Sequence, residues 1–264
     1  MAIIGIWGPD KSCKTTLGLT APKPLVDMEF DIGGFDRAKH RFQQEINAGL
    51  ITYEAYGMPI HIGQFDPAKL EVRPSKIIVG MKELFYRWLS QFVRHLNTPN
   101  IASIMVDTAT LLYSIDCDAY LQEKQELQLP LKPDGMGADG KPLRTQLLQI
   151  EYREPNNRFR GILYNAKLMK KNLILIHHDR DEYGPVLQKD GTIAQQATGK
   201  RERAGFATLG DSADVILHTT WDTKTKAPYC TVDLAEVKEL EGMSFKEPTY
   251  DKIAKTIQML KGMC

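Results

Sequence analysis

Short apolar runs that end in polar or acidic residues alternate with amphipathic stretches along most of the chain. The first run, Ile3-Ile4-Gly5-Ile6-Trp7, is apolar at nearly every position, the pattern of a strand buried on both faces of a parallel sheet. Pro24-Leu25-Val26-Asp27-Met28-Glu29 predicts a second strand that ends in acids, and Ile51 to Tyr56 a third, rich in β-branched and aromatic residues. Ile101 to Thr108 predicts a strand closed by Asp107, and Lys171 to His178 one that ends in two histidines. Asp214 to Thr219 and Tyr229 to Leu234 predict later strands. Between them lie helical patterns. Phe35 to Ala48 is stopped by Gly49, and in Lys76 to Leu96 the residues Ile77, Met81, Leu84, Phe85, Trp88, Leu89, Phe92 and Leu96 recur at three and four, a stripe that faces a core. Helical sequence follows Asp107 to about Leu127, and Pro155 to Lys171 and Tyr250 to Leu260 predict two more helices. Pro130 to Pro142, with Gly135, Gly137 and Gly140, predicts a mobile loop, and 179–210 lacks periodicity and reads as a long functional loop.

Strands alternating with helices imply an α/β fold: a mainly parallel sheet with helices on both faces. Ligands of such sheets sit at the carboxyl ends of the strands, and Glu29, Asp107 and His178 all fall at that edge. The expected organisation is one domain over 1–264, with 221–264 a C-terminal strand and helix extension. Lys and Arg total 34 against 33 acids, a net charge of +1, which excludes a polycation that coats nucleic acid without preference. No apolar run approaches a membrane span, and MAIIGIWGPD lacks the basic segment and cleavage site of a signal peptide, so no membrane association or secretion is expected. Cys13, Cys117, Cys230 and Cys264 have no C-x-x-C spacing, so neither a zinc site nor a disulfide framework is expected, and the thiols suit a reducing cytoplasm.

The chemistry is announced by Gly8-Pro9-Asp10-Lys11-Ser12-Cys13-Lys14-Thr15, directly after the first strand and before Thr16-Leu17, where a helix can begin. A Gly-led loop between strand and helix presents successive backbone N–H groups to a phosphate, a following Lys reaches the β- and γ-oxygens, and a hydroxyl binds Mg²⁺. Gly8 through Thr16 is therefore the candidate cradle for ATP. The pattern departs from G-x-x-x-x-G-K-[ST] at Cys13, which stands where the second Gly belongs. Either Cys13 adopts the positive φ that Gly would take, or the loop is remodelled. The acid-ended strand at Asp107, about ninety residues downstream, has the shape of a Walker B segment that carries a carboxylate to the same Mg²⁺.

In this order the marks resemble the RecA-like ATPase core, and more narrowly the compact RecA-like AAA ATPases encoded by bacteriophages, some of which are single-strand annealing or recombination proteins. G-P-D-K-S-C-K-T-T is similar to that family's phosphate loop, L-V-D-M-E to its second strand, I-M-V-D-T-A-T-L-L to its Walker B strand and L-I-L-I-H-H to its sensor strand. The resemblance implies that Lys14 neutralises β/γ charge, Thr15 and Asp107 hold Mg²⁺, Glu29 orients the attacking water and His178 senses the γ-phosphate. It also implies a homo-oligomeric ring or filament on single-stranded DNA in phage or bacterial recombination, and hence a bacterial cytoplasm. The residues alone leave two choices open: Asp27 shares a strand face with Glu29, and His177 and His178 point to opposite faces. Two basic clusters, one over Arg153, Arg158, Arg160, Lys167, Lys170 and Lys171 and one over Lys200, Arg201 and Arg203, are candidate DNA contacts, with Phe206 the only aromatic near the second. Two rival readings are a small-molecule P-loop kinase, which needs an Arg-rich lid and a substrate acid, and a nucleotide-dependent scaffold without turnover.

Overall fold

The computed structural model of the chain describes residues 2–59, 64–66, 71–73, 76–132, 136–187 and 192–261. The first apolar run forms β1 (Ile3–Trp7), and α1 (Lys14–Gly18) follows the Gly-led loop. Then come β2 (Leu25–Glu29), α2 (Gly34–Ala38), α3 (Gln43–Asn47), β3 (Ile51–Ala55) and the short pair β4 (Gln64–Asp66) and β5 (Glu71–Arg73). The long helix α4 (Met81–Asn97) leads to β6 (Ser103–Asp107), α5 (Ala109–Glu126), α6 (Arg153–Leu168) and β7 (Asn172–His177). A hairpin of β8 (Asp179–Leu187) and β9 (Ile193–Arg203) precedes β10 (Val215–Asp222), β11 (Ala227–Ala235), β12 (Ser244–Lys246) and α7 (Tyr250–Lys261).

Eight strands form one sheet in the order β12-β11-β10-β1-β7-β6-β2-β3, parallel from β10 to β3 and antiparallel only at β11 and β12. This is the mainly parallel, doubly covered sheet that the alternation predicts. One face packs against α4, α5 and α6 through Phe85, Trp88, Phe92, Ile115 and Phe159, and the other against α1, α2 and α7 through Leu17, Phe35 and Ile253. Each of β1, β2, β6 and β7 is buried along its whole length, which is why their sequences read as runs rather than alternations. Helix α1 lies close on the sheet, since a Cβ at Gly18 would collide with Met105 Sδ.

Several elements differ from expectation for identifiable reasons. The stripe through Trp88 belongs to a helix that starts at Met81 rather than Lys76, because Gly80 at φ 84° breaks the backbone. Phe35 to Ala48 is not one helix: a 3₁₀ turn at Lys39–Arg41 separates α2 from α3. The described residues of 179–210 form the β8–β9 hairpin followed by a 3₁₀ turn at Ala207–Asp211 rather than one long loop. Most of β9 is exposed, so neither of its faces had to be apolar and no alternation marks it. In the predicted mobile loop residues 133–135, Gly135 among them, lie outside the described residues, and the far end is held by Gln128: its Nε2 donates to Pro142 O (3.2 Å), and Arg144 N donates to its Oε1 (3.0 Å). Cys13, Cys117 and Cys230 carry free thiols, and Cys264 lies outside the described residues. Among the described residues no helix is long and apolar enough to cross a membrane.

Half of the first basic cluster is spent within the fold. Arg158 bridges the buried Asp116 (3.3 Å) and Glu123 (3.0 Å) between α5 and α6, and its guanidinium lies over the rings of Phe85, Tyr86 and Tyr120. Lys171 is buried and donates to the carbonyls of Thr98 (2.7 Å) and Ile101 (2.6 Å), while Lys167 pairs with Asp214 (3.4 Å). These three cations are structural rather than a face for DNA.

Candidate nucleotide-binding site

The loop between β1 and α1 turns sharply at Gly8, which sits at φ 146° against β10; a Cβ there would run into the carbonyl of Thr219. Glycine is the one residue that fits. The turn is fastened by Ser12, whose Oγ donates to Pro9 O (2.7 Å) and lies 2.7 Å from Thr219 Oγ1. Cys13 takes φ 68° and ψ 25°, the left-handed conformation that a glycine would adopt at this position. The backbone course is therefore kept with a cysteine in it, at a cost of about 1–2 kcal/mol. Lys11 is also left-handed, at φ 60°. Asp10 through Thr16 line a cavity of about 530 Å³ that opens above this loop.

Lys14 is almost wholly buried and donates from Nζ to the carbonyls of Gly8 and Pro9, both at 2.8 Å. Burial lowers its pKa, and the charges of Asp10, Asp107, Asp179 and Asp31 oppose that shift. One residue on, Thr15 Oγ1 donates to Asp107 Oδ2 at 2.5 Å, although 92 positions separate the two in the chain. Sheet order explains the meeting: β7 lies between β1 and β6, so the end of β6 comes up opposite the start of α1 rather than beside β1. Burial pushes the Asp107 carboxyl up to about 7, with the Thr15 hydrogen bond opposing and the charges of Glu29 and Asp31 adding to the shift.

Glu29 ends β2 in register with Asp107. It is fully buried beneath α2 rather than facing the cavity: Oε1 accepts the Phe35 N–H at 3.0 Å, and Oε2 has no partner. Gly34 is the cover. A Cβ there would come within 2.8 Å of Glu29 Oε1, 3.0 Å of Asp107 Oδ2 and 3.2 Å of Thr15 Oγ1, so three oxygens converge under a residue with no side chain. Asp27, the rival acid, lies one step deeper with both carboxyl oxygens unpartnered. Burial, then the charges of Asp107 and Glu29, raise its pKa well above the carboxylate range, so it stays protonated and neutral. Depth separates the two acids where strand alternation could not.

His178 faces the cavity, with Nδ1 3.8 Å from Asp10 Oδ1 and Nε2 3.9 Å from Asp31 Oδ2. Its backbone N–H donates to Thr110 Oγ1 at 3.1 Å. His177 faces the other way. It is fully buried, its Nδ1 lies 3.1 Å from Ala204 O, and burial together with Arg203 depresses its pKa so that the ring is neutral.

The structure thus brings Lys14, Thr15, Asp107 and His178 together at the mouth of the loop and sets Glu29 just beneath. The donor set fits Mg²⁺: hard oxygens from a hydroxyl and a carboxylate stand in contact, a further buried carboxylate oxygen lacks a partner, and Mg²⁺ commonly takes its other ligands from water and substrate phosphates. Sequence reading missed Asp31, Arg37, His40 and Arg41, which line the same cavity. They follow β2 through the Gly33-Gly34 turn, and no periodicity in so short a helix shows which of its charges face inward.

No family model matches the chain, and no curated protein does. Among solved structures it is similar to a RadB recombinase, with 14% identity, 93% of this chain and 86% of that one covered, and a TM-score of 0.47. It is also similar to a KaiC-like protein from the hyperthermophilic archaeon Pyrococcus horikoshii OT3, with 11% identity, 93% of this chain and 84% of that one covered, and a TM-score of 0.44.

Two outcomes are expected. Because folding raises the Asp107 pKa, its contribution to stability is fully present below about pH 4 and is lost as pH rises through about 7, so metal-free Asp107→Asn should be more stable than the natural chain at pH 8 by on the order of 2 kcal/mol. Thermal melts from pH 5 to 8 check this; equal melting at pH 8 contradicts it. Cys13→Gly removes a left-handed strain that is present without any ligand, so it should raise the stability of the fold by on the order of 1 kcal/mol, read by chemical denaturation; a stability equal to or below that of the natural chain contradicts this.

Proposed function

We propose that this chain is a RecA-like, Mg²⁺-dependent ATPase that works as a homo-oligomeric ring or filament on single-stranded DNA in phage or bacterial recombination or repair. One observation carries the reading: the Thr15 hydroxyl and the Asp107 carboxylate, distant in sequence, meet at the end of a loop whose backbone keeps the phosphate-cradling course through Cys13. A scaffold without turnover would rest on Cys13 distorting that cradle, and the conformation at Cys13 does not support it.

The roles follow from position. Backbone N–H groups from Asp10 to Thr16 receive the β-phosphate, and Lys14 exchanges its two carbonyl partners for phosphate oxygens. Thr15 and Asp107 would hold Mg²⁺, which would supply charge neutralisation to the triphosphate. Glu29 orients a water whose oxygen bonds to the γ-phosphorus as the bond to the bridging oxygen breaks, giving ADP and phosphate; the water's proton passes toward the carboxylate. This requires α2 to lift from Glu29, because the Phe35 N–H and Gly34 now cover it. His178 contacts the γ-phosphate or the water.

The hairpin supports the DNA reading. Asp179 at its root follows His178 directly and is bonded to Arg201 (2.8 Å), and its charge also acts on Lys14. Phe206, buried against Phe159, is not free to stack on a base, whereas Tyr183 on β8 is 62% exposed and Lys200 on β9 is exposed too; Arg180 and Arg201 are paired with Glu202, Asp179 and Asp181 within the hairpin.

Phosphate release with and without single-stranded DNA tests the proposal. The natural chain should turn over faster with DNA, and Lys14→Ala should be about a hundredfold slower in both conditions. Equal rates in the variant would remove this loop from the mechanism.

A further inference from the structure

Across the cavity from the phosphate loop, positive charge gathers that none of these roles uses. Arg37, His40 and Arg41 lie on α2 and the 3₁₀ turn after it, and all three line the same 530 Å³ space as Lys14, Thr15 and Asp107. We propose that Arg37 is a cation supplied in cis to the terminal phosphate of the bound nucleotide, with Arg41 flanking it on the same wall. The inference rests on the ATPase reading and names a residue that completes that site.

Three observations place Arg37 there. Gly33 turns the chain at φ 113°, and a Cβ on it would come within 3.1 Å of Arg37 Nη1, so the exposed guanidinium folds back over the turn. The next residue, Gly34, stands 3.2 Å from Thr15 Oγ1 when measured the same way, which puts the turn beside the hydroxyl that holds Mg²⁺. Neither the Arg37 nor the Arg41 guanidinium makes a hydrogen bond or an ion pair among the described residues, even though Asp36 is adjacent; that acid is taken by Lys39, at 2.6 Å on the solvent side. A short segment that pairs its lysine and leaves two arginines unpaired over a cavity presents forks suited to phosphate.

The helix whose first turn covers Glu29 also carries the guanidinium, so a γ-phosphate held by Arg37 acts on the same segment that covers the carboxylate. ADP offers no such anchor. ATP and ADP should therefore differ in how they use this residue.

The test measures ATP and ADP affinity by competition with a fluorescent nucleotide, and phosphate release at saturating ATP, for the full chain and for Arg37→Ala, Arg37→Lys and Lys14→Ala, with melting curves as a folding control. Arg37→Ala should weaken ATP about tenfold while leaving ADP within about twofold. It should also slow release at saturation about a hundredfold. Arg37→Lys, which keeps the charge but not the fork, should recover ATP affinity more than rate. Equal losses for ATP and ADP would assign Arg37 to the base, sugar or inner phosphates and overturn the inference, as would unchanged affinities with unchanged rate. A natural chain that binds neither nucleotide would instead overturn the ATPase reading beneath it.

Discussion

A carboxylate kept out of water against a hydroxyl, Asp107 on Thr15, is the contact around which the edge of this sheet is arranged. A buried carboxylate of this kind is costly in the absence of a cation, which is why burial drives its proton affinity up. Two more acids stand close behind it in the same layer, and the structure treats each differently. Asp27 is left neutral in the interior, Glu29 is bonded to a backbone N–H, and Asp107 is placed where a divalent ion could reach it. The grading runs along two neighbouring strands.

The covering segment gives the site its second half. Gly34 is small enough to sit on three oxygens at once, and Phe35, stacked on Tyr53 at 4.5 Å, holds α2 against β3. A side chain at position 34 would push the segment off Glu29 and Asp107. The same few residues therefore decide how deeply the acids are buried and where Arg37 is held. Electrostatics and packing are not separable here.

Much of this was legible in the chain. Runs such as Ile3 to Trp7 and Ser103 to Asp107 are apolar throughout because both of their faces are covered, so their placement and parallel pairing could be foreseen. The meeting of Lys14, Thr15 and Asp107 followed from motif spacing, and the choice of His178 over His177 from resemblance; the geometry places His178 at the cavity and buries His177. What could not be read has a physical cause in each case. The β8–β9 hairpin is stabilised by ladder hydrogen bonds and charge pairs such as Arg180 with Glu202 rather than by an apolar face, so it left no periodic signal. Arg158 and Lys171 looked like surface charge because composition does not reveal that a cation is bonded inward. The fold of Arg37 back over Gly33 depends on a glycine turn, and sequence shows a turn there without showing what it faces.

The central claim is that Thr15 and Asp107 share one metal ion over a bound triphosphate. A double-mutant cycle of Thr15→Val and Asp107→Asn, read as Mg²⁺ affinity in the presence of a slowly hydrolysed ATP analogue, addresses it most directly. The account predicts that the two losses are coupled by about 1 kcal/mol or more, because either change disables the same ion. Losses that add to within about 0.3 kcal/mol, or Mg²⁺ affinity that neither change alters, would contradict it.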